Sequence, residues 1–236
     1  MLLSAEIRWF WHSAPPGNLL DWFKSGAIHS CPCGGDPRSR QDLYVVDTTQ
    51  NELGIKVRGQ KNSLSQSNDQ APLIRDVEVK GLVAVSWGVL TSGLLAGPVE
   101  FWCKWPFRQI DLGSSTRLSV EKTRWLRKFD TANPSPEEIP LGDDEKPLDE
   151  IRRRSLPVLG CNIEMTEILL PGGDRWWSFG LEAFGDLATL EDDVRAVASV
   201  LSRRGIPELC GGLQLNYPRW INQYALPSKT AQQRKG

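Results

Sequence analysis

The sequence predicts a β-rich α+β protein built on an antiparallel barrel of about eight strands with flanking helices. Strand-like runs follow one another through mostly short loops, and only one strong helix pattern occurs, late in the chain. Because strands and helices do not alternate, a parallel α/β sheet is disfavoured. Charged residues recur two or four positions apart within the strand-like runs, so they share one face of each strand. A closed antiparallel barrel places that face around an internal tunnel, where it can line a ligand site.

The first strand is predicted over residues 3–12 and ends before Pro15-Pro16-Gly17. Its alternation separates two faces. One face carries Glu6, Arg8 and Phe10. The other face is apolar and aromatic, which is typical of core packing, and consists of Ile7, Trp9 and Trp11. A short helix is predicted over residues 19–24, with Asn18 as its cap and Gly26 as its stop.

Four further strands are predicted in the first half of the chain, over residues 41–48, 53–59, 76–89 and 99–107. Lys56 and Arg58 share one face of the third strand, and its other face is apolar. The next two strands repeat this arrangement with the pairs Glu78/Lys80 and Glu100/Lys104. Residues 60–72 contain almost no apolar side chains and predict a flexible loop.

Three more strands and the strongest helix are predicted in the second half. The strands cover residues 116–129, 160–170 and 175–184, and they carry Arg124, Glu164 and Glu182. Residues 130–155 hold an acidic run and a basic triplet, which predict a solvated loop with one short helix. Thr189 is predicted to cap the strong helix in a capping box with Asp192, and Gly205 to end it. A last ordered segment is expected over residues 217–224.

Composition limits the class of protein. The 236 residues are 40% hydrophobic, which predicts one domain over residues 1–225 followed by a polar tail, 226–236. The net charge of -1 argues against a long nucleic-acid footprint, although a contact with an RNA 5′ end stays open. No apolar run approaches the roughly 20 residues that span a bilayer, and the N-terminus lacks a secretory pattern. Five cysteines, an odd number, suit a reducing compartment and predict a cytoplasmic location.

Other catalytic and metal chemistries have weak support. Cys31 and Cys33 lie close to His29, but a zinc site needs four ligands, and the remaining cysteines stand alone in the sequence. The chain has no Gly-x-x-x-x-Gly-Lys-Ser/Thr loop for a nucleotide and no Gly-x-Ser-x-Gly turn for a serine nucleophile. These absences leave the charged strand faces as the best candidate site.

The predicted inner face gathers cations from separate strands, namely Arg8, Lys56, Arg58, Lys80, Lys104 and Arg124. Enclosed together, they would repel one another unless an anion lay among them. A phosphate chain fits, because lysine and arginine bind phosphate oxygens by charge-assisted hydrogen bonds. Glutamates on the same faces would hold Mg²⁺ or Mn²⁺ against the phosphate oxygens. The alternative is that these are solvent-facing charges on one side of an open sheet.

Several segments resemble, in order, the motifs of the CYTH or triphosphate tunnel metalloenzyme superfamily. Ser4-Ala5-Glu6-Ile7-Arg8 is similar to its opening Glu-x-Glu-x-Lys strand. Asp42-Leu43-Tyr44-Val45-Val46-Asp47-Thr48 and Leu53-Gly54-Ile55-Lys56-Val57-Arg58 resemble its second and third strands. Later matches are Lys80-Gly81, Lys122-Thr123-Arg124, the segments around Glu164 and Glu182, and the closing segment Asn216-Tyr217-Pro218-Arg219-Trp220-Ile221.

The resemblance implies a tunnel barrel that binds a triphosphate, a polyphosphate or a nucleoside triphosphate, usually with a divalent metal. It implies phosphate contacts by Arg8, Lys56, Arg58, Lys80 and Arg124, and metal ligation by Glu6 and Glu182. Lys104 and Glu164 are added to the phosphate and metal sets, respectively, by the strands on which they lie. Glu6, Lys56, Arg58 and Glu182 are the residues expected to carry catalysis.

Two departures from the family pattern keep the function open. Ser4 and Gly180 stand where the opening and closing motifs of the family have glutamates, and losing two carboxylates weakens a Mg²⁺ site. The order of the other motifs still favours a metal-assisted phosphohydrolase, with a nucleotide cyclase as a narrower variant. The alternative is a non-catalytic module that senses a nucleotide or polyphosphate. Nothing in the sequence indicates the oligomeric state.

Overall fold

The computed structural model describes residues 2–25, 38–58, 77–86, 95–107, 115–142 and 144–226. The predicted loop 60–72, the Cys31/Cys33 pair with His29, and residues 227–236 of the predicted tail lie outside this part of the chain. The side chain of Arg58 also lies outside it, although its backbone ends a strand.

The described residues form ten strands and four helices. The strands are β1 (Leu2–His12), β2 (Arg38–Val45), β3 (Leu53–Arg58), β4 (Val77–Ser86), β5 (Val99–Phe107), β6 (Arg117–Asp130), β7 (Glu137–Ile139), β8 (Gly160–Leu169), β9 (Arg175–Phe184) and β10 (Leu213–Gln214). The helices are α1 (Leu19–Ser25), α2 (Glu150–Arg154), α3 (Leu190–Arg203) and α4 (Tyr217–Trp220), which continues as a π-helical turn, Ile221–Ala225.

Eight of these strands close into an antiparallel barrel, which confirms the predicted fold class. Their order around the barrel is β1-β5-β4-β3-β2-β6-β8-β9, and pairing of β9 with β1 closes the circle. The short strands β7 and β10 lie outside the circle, paired with β6 and β1. The closed circle leaves none of the eight strands at an edge of the sheet.

The main apolar core lies outside the barrel wall, under the flanking helices α1 and α3. The outward residues of β1, including Ile7 and Trp9, pack there with Phe179 of β9 and with Phe23 of α1. On α3, the predicted apolar stripe faces this layer and is buried. The tryptophans of the first strand therefore pack in the core, as its alternation predicts.

The inner faces of the strands carry the charged residues. Directly opposite residues of antiparallel neighbours lie on the same face. Glu6 is opposite both Glu100 and Glu182, Lys56 is opposite Glu78, and Lys80 is opposite Lys104. The two-residue period of the charges therefore predicts correctly which side chains share the inner face.

Two local predictions are wrong, and one short strand was not predicted. Thr189 precedes α3, but its hydroxyl donates to the carboxylate of Asp193 and caps no backbone N–H, so a capping box with Asp192 does not form. The segment predicted as a loop with one helix contains that helix, α2, and also the strand β7, which pairs with β6. The strand β10 has too few residues, two, for any sequence period to predict it.

Among the described residues, no helix is long and apolar enough to cross a lipid bilayer.

Candidate functional site

The barrel lumen has two chemically different parts. One part is aromatic and apolar, because α4 and the turn after it enter the barrel and pack on inward residues of the strands. The cluster includes Phe10, Tyr44, Trp176 and Trp220. Trp220 stacks on Phe10 with 5.1 Å between ring centroids. The other part is lined by paired charges. The lumen is therefore partly filled by the chain itself, which the sequence pattern does not predict.

Ion pairs neutralise the predicted phosphate-binding cations. Arg8 contacts Glu164 at 2.9 Å, and Lys56 contacts Glu78 at 2.8 Å. Lys80 contacts Glu6, and Lys104 contacts both Glu6 and Glu182. Arg124 contacts Glu164 at 2.9 Å and also binds Glu145.

These pairs correct the expectation that the enclosed cations require an external anion. Each predicted cation whose side chain is described has a carboxylate partner from the protein itself. Charges taken out of water are tolerated when they are paired and hydrogen-bonded. A phosphate ligand would therefore have to displace carboxylates from these lysines and arginines, because no unneutralised cationic cavity is available to it among the described side chains.

Glu6 and Glu182 form the part of the site that fits a divalent metal. They lie opposite each other on β1 and β9, and both contact the ammonium of Lys104. Burial opposes ionisation of Glu6, but Lys80 and Lys104 outweigh it and hold its pKa well below the usual range. Two adjacent carboxylates are a common protein contribution to a Mg²⁺ site, which takes its remaining ligands from water and phosphate.

Glu164 does not fit a metal. Its two oxygens are bound by the guanidinium groups of Arg8 and Arg124, each at 2.9 Å. Burial opposes its ionisation, yet Arg124 and Arg8 hold its pKa well below the usual range. Within the described residues, no three His, Cys, Asp or Glu side chains lie together in a way that could hold a metal ion. The predicted three-carboxylate set is thus divided between two ion-pair clusters.

Gly180 and Ser4, the positions where the resemblance would place glutamates, both lie beside residues of the charge network. A Cβ at Gly180 would lie 2.8 Å from the Cζ atom of Arg8, so a larger residue there would displace the guanidinium from Glu164. The hydroxyl of Ser4 donates to Glu6 at 2.9 Å and adds no charge. A glutamate at position 4 would bring a second carboxylate beside Glu6.

A buried cluster beside these charges was not predicted. Lys122 donates to the hydroxyl of Tyr44 at 2.5 Å and lies 3.5 Å from Asp42. Its ammonium is 3.7 Å from the centre of the Tyr217 ring, close enough for a cation–π interaction. Burial lowers the pKa of Lys122 to about 7, although Asp42 opposes the shift. In the sequence, Lys122 is notable only as part of the Lys-x-Arg motif at residues 122–124.

One cavity, called the larger cavity below, opens between β3, β4 and α4, and its empty space, including its open mouth, is about 550 Å³. Lys56, Glu78 and Lys80 supply its charged surface. Tyr217, Pro218 and Ile221 of the closing segment also line it and give it an apolar and aromatic side. The cavity thus combines two of the predicted phosphate-binding lysines with a wall suited to an organic group.

A smaller cavity, with about 310 Å³ of empty space including its open mouth, lies beside Arg219 of α4. Glu6, Arg8, Glu100 and Arg219 line it. Glu100 accepts hydrogen bonds from Trp102 at 3.2 Å and from Asn216 at 3.0 Å, and burial raises its pKa. The two cavities meet at the Lys80–Glu6 ion pair, because Lys80 lines the first and Glu6 the second.

A comparison of the chain with protein-family models gives no match, and a comparison with curated proteins gives none. Among solved structures, a chain of the Schizosaccharomyces pombe Mediator head module is similar over 85% of this chain and 92% of that chain. The sequence identity is 6% and the TM-score is 0.37. A likeness of this size supports no inference about fold or function.

Proposed function

We propose that the barrel binds a triphosphate, or the phosphate chain of a nucleotide, at the larger cavity of its lumen, and that it does so in a reducing, cytoplasmic setting. The observation that carries the proposal is the convergence of Lys56 and Lys80 from neighbouring strands on one cavity. Ammonium groups bind phosphate oxygens by charge-assisted hydrogen bonds. The apolar wall of the cavity accommodates a base or another organic group.

Binding proceeds by exchange of partners. In the free protein, Glu78 neutralises Lys56 and Glu6 neutralises Lys80. A triphosphate carries more charge than one carboxylate and has several acceptor oxygens, so it competes for both lysines at once. The displaced carboxylates turn toward water or toward a divalent cation. Glu78 therefore opposes binding of the anion, whereas Lys56 favours it.

This exchange predicts opposite effects for two neighbouring substitutions. Lys56→Ala is expected to weaken tripolyphosphate binding by about 10- to 100-fold, because it removes a charge-assisted contact. Glu78→Gln is expected to tighten it, because the competing carboxylate becomes neutral. Isothermal titration calorimetry measures both affinities.

The matched control is Lys24→Ala, which removes the same charge from the exposed surface of α1, outside the barrel. It should leave the affinity unchanged. If wild-type protein binds neither tripolyphosphate nor ATP, the proposed function is wrong. If Lys24→Ala weakens binding as much as Lys56→Ala does, the anion binds the surface and not the lumen.

Hydrolysis is a second candidate, favoured by the adjacency of Glu6 and Glu182. These two carboxylates would hold Mg²⁺ or Mn²⁺, and a bound cation neutralises phosphate charge and activates a water molecule. Lys104, which contacts both carboxylates, would move aside to the phosphate.

The hydrolytic function predicts phosphate release from tripolyphosphate or ATP that requires Mg²⁺ or Mn²⁺. Glu182→Gln is expected to lower this release about 100-fold or more while leaving metal-free binding of tripolyphosphate intact. Metal-dependent release that persists unchanged in Glu182→Gln would show that another group holds the metal. Binding without release at any metal concentration leaves the protein a sensor, and a cyclic product would identify a cyclase.

A further inference from the structure

The segment formed by α4 and the π-helical turn divides the lumen. Tyr217 and Pro218 line the larger cavity, and Arg219 lines the smaller one. Arg8, a predicted phosphate ligand, lines the smaller cavity and is only 6% exposed. With the segment in place, Lys56 and Arg8 line different cavities.

The segment is held at each end by amide side chains. Asn216 donates to Glu100 at 3.0 Å near β5. Asn222 donates to the backbone carbonyls of Asp47 and Gln50, at 3.0 and 2.8 Å, in the turn between β2 and β3. The hydrogen bonds of Asn222 are neutral and exposed, so water can replace them at small cost. The bond of Asn216 is the stronger anchor, because Asn216 is buried and its partner is a carboxyl group.

The middle of the segment is held by cations that a phosphate would also bind. The ring of Tyr217 lies 3.7 Å from the ammonium of Lys122 and 5.0 Å from the guanidinium of Arg8. Its hydroxyl is 3.3 Å from Ser178, which also accepts a hydrogen bond from Arg8. A phosphate group at Arg8 would take the space and the electrostatic role of this ring.

Two features of the segment lower the free energy needed to move it. The indole N–H of Trp220 is buried and has no hydrogen-bond partner in the described part of the chain, which leaves its desolvation uncompensated. Residues 221–225 form a π-helical turn, a geometry that is rare and often found at functional sites.

We infer that α4 with its π-helical turn is a plug that a long phosphate ligand must displace. With the plug seated, a ligand reaches only Lys56 and Lys80. With the plug displaced, the two cavities join at the Lys80–Glu6 pair, and a triphosphate also contacts Arg8. The inference rests on the proposed binding of phosphate in the lumen.

A disulfide between β3 and α4 tests the plug directly. A Cβ at Gly54 would lie 3.2 Å from Cγ of Pro218, which places cysteines at these two positions within reach of the roughly 3.5–4.5 Å Cβ–Cβ spacing of a disulfide. The double variant G54C/P218C is oxidised, and the cross-link is located by mass spectrometry because native cysteines are also present. The oxidised double variant must melt at or above the melting temperature of the reduced double variant, which shows that the cross-link does not disrupt the fold.

The oxidised double variant is expected to bind tripolyphosphate about tenfold or more weakly than the same protein after reduction. The single variants G54C and P218C, taken through the same oxidation and reduction, should not show this difference. Equal affinity of the oxidised and reduced double variant overturns the plug and leaves the proposed function standing. If the wild-type protein binds neither tripolyphosphate nor ATP, the proposed function itself fails, and so does the inference of a plug.

Hydrogen exchange of the wild-type protein gives a second readout that needs no substitution. Tripolyphosphate is expected to speed amide exchange in residues 217–225 while it slows exchange in β3 and β4. Slower exchange in all three segments overturns displacement of the plug, because it shows the ligand binding over a segment that stays seated.

Discussion

Replacing Glu164 by alanine is expected to destabilise the folded protein by about 3–5 kcal/mol, the range found when one partner of a buried ion pair is removed. Glu164 neutralises two guanidinium groups at once, those of Arg8 and Arg124, each at 2.9 Å. Its own side chain is 12% exposed and that of Arg8 is 6% exposed. Without this carboxylate, Arg8 keeps only the hydroxyl of Ser178 among its close hydrogen-bond partners in the described residues.

Glu167 on the same strand provides the matched control. It pairs with Arg175 at 3.3 Å on the outside of the barrel, where Arg175 is 58% exposed. Exposed pairs contribute about 0–1 kcal/mol, so Glu167→Ala should have little effect on stability. Urea denaturation measures both free energies of unfolding. Similar small losses for the two variants would mean that water solvates Arg8 and Arg124 in the lumen, and the enclosed charge network would then be wrong.

The strand faces were predictable because side chains alternate between the two faces of a strand. Charged residues two or four positions apart therefore lie on the same face. Glu6, Lys80 and Glu182 were thereby assigned correctly to one interior. The closed barrel followed from the number of such strands and from the lack of regular alternation with helices. Helix α3 was predictable from its apolar stripe alone, because packing and not the cap determines it.

The partners of the inward charges were not predictable. Glu145 binds Arg124 from a segment whose composition is that of a solvated loop. The pairing of β7 with β6 brings that segment to the barrel wall. The period of a sequence assigns faces, but it contains no information about which loop folds back over which strand. The same limit applies to the carboxylates, because the sequence does not show which lysines and arginines they neutralise.

The position of α4 inside the lumen was also not predictable from the sequence. The closing segment was expected to be ordered, and its residues look like an ordinary short aromatic helix. Its position depends on the inward residues of several strands, including Phe10 of β1 and Trp176 of β9, which form the apolar surface on which Trp220 packs. The sequence pattern of an inward aromatic residue in a strand does not distinguish contact with a ligand from contact with a helix of the same chain.

Lys122 is expected to make the stability of the protein rise between pH 7 and pH 9 by about 2 kcal/mol. Burial lowers its pKa in the folded protein to about 7, from an ordinary value of 10.5. At pH values between these two pKa values, Lys122 is mostly protonated in the unfolded chain and mostly deprotonated in the folded protein. Raising the pH therefore removes protons mainly from the unfolded state, and the free energy of unfolding increases.

Several charged and titratable groups face this ammonium and determine its pKa. Asp42 favours the charged form, and so does Glu164 from β8, whereas burial and the guanidinium groups of Arg40 and Arg8 oppose it. Burial raises the pKa of Tyr44 well above its usual value of 10, so its titration lies outside the interval from pH 7 to pH 9. Burial also lowers the pKa values of Lys80 and Lys128, whose contributions to the pH dependence have the same sign.

The difference in pH dependence between the wild-type protein and Lys122→Met isolates this one group from the other lysines. Methionine keeps most of the volume of the side chain and cannot titrate, so the variant should lose most of the increase, whatever its absolute stability. Lys24→Met, on the exposed surface of α1, should retain it. Free energies of unfolding in urea at pH 7, 8 and 9 provide the measurement. If the variant and the wild-type protein rise in parallel, Lys122 is hydrated and charged throughout this range.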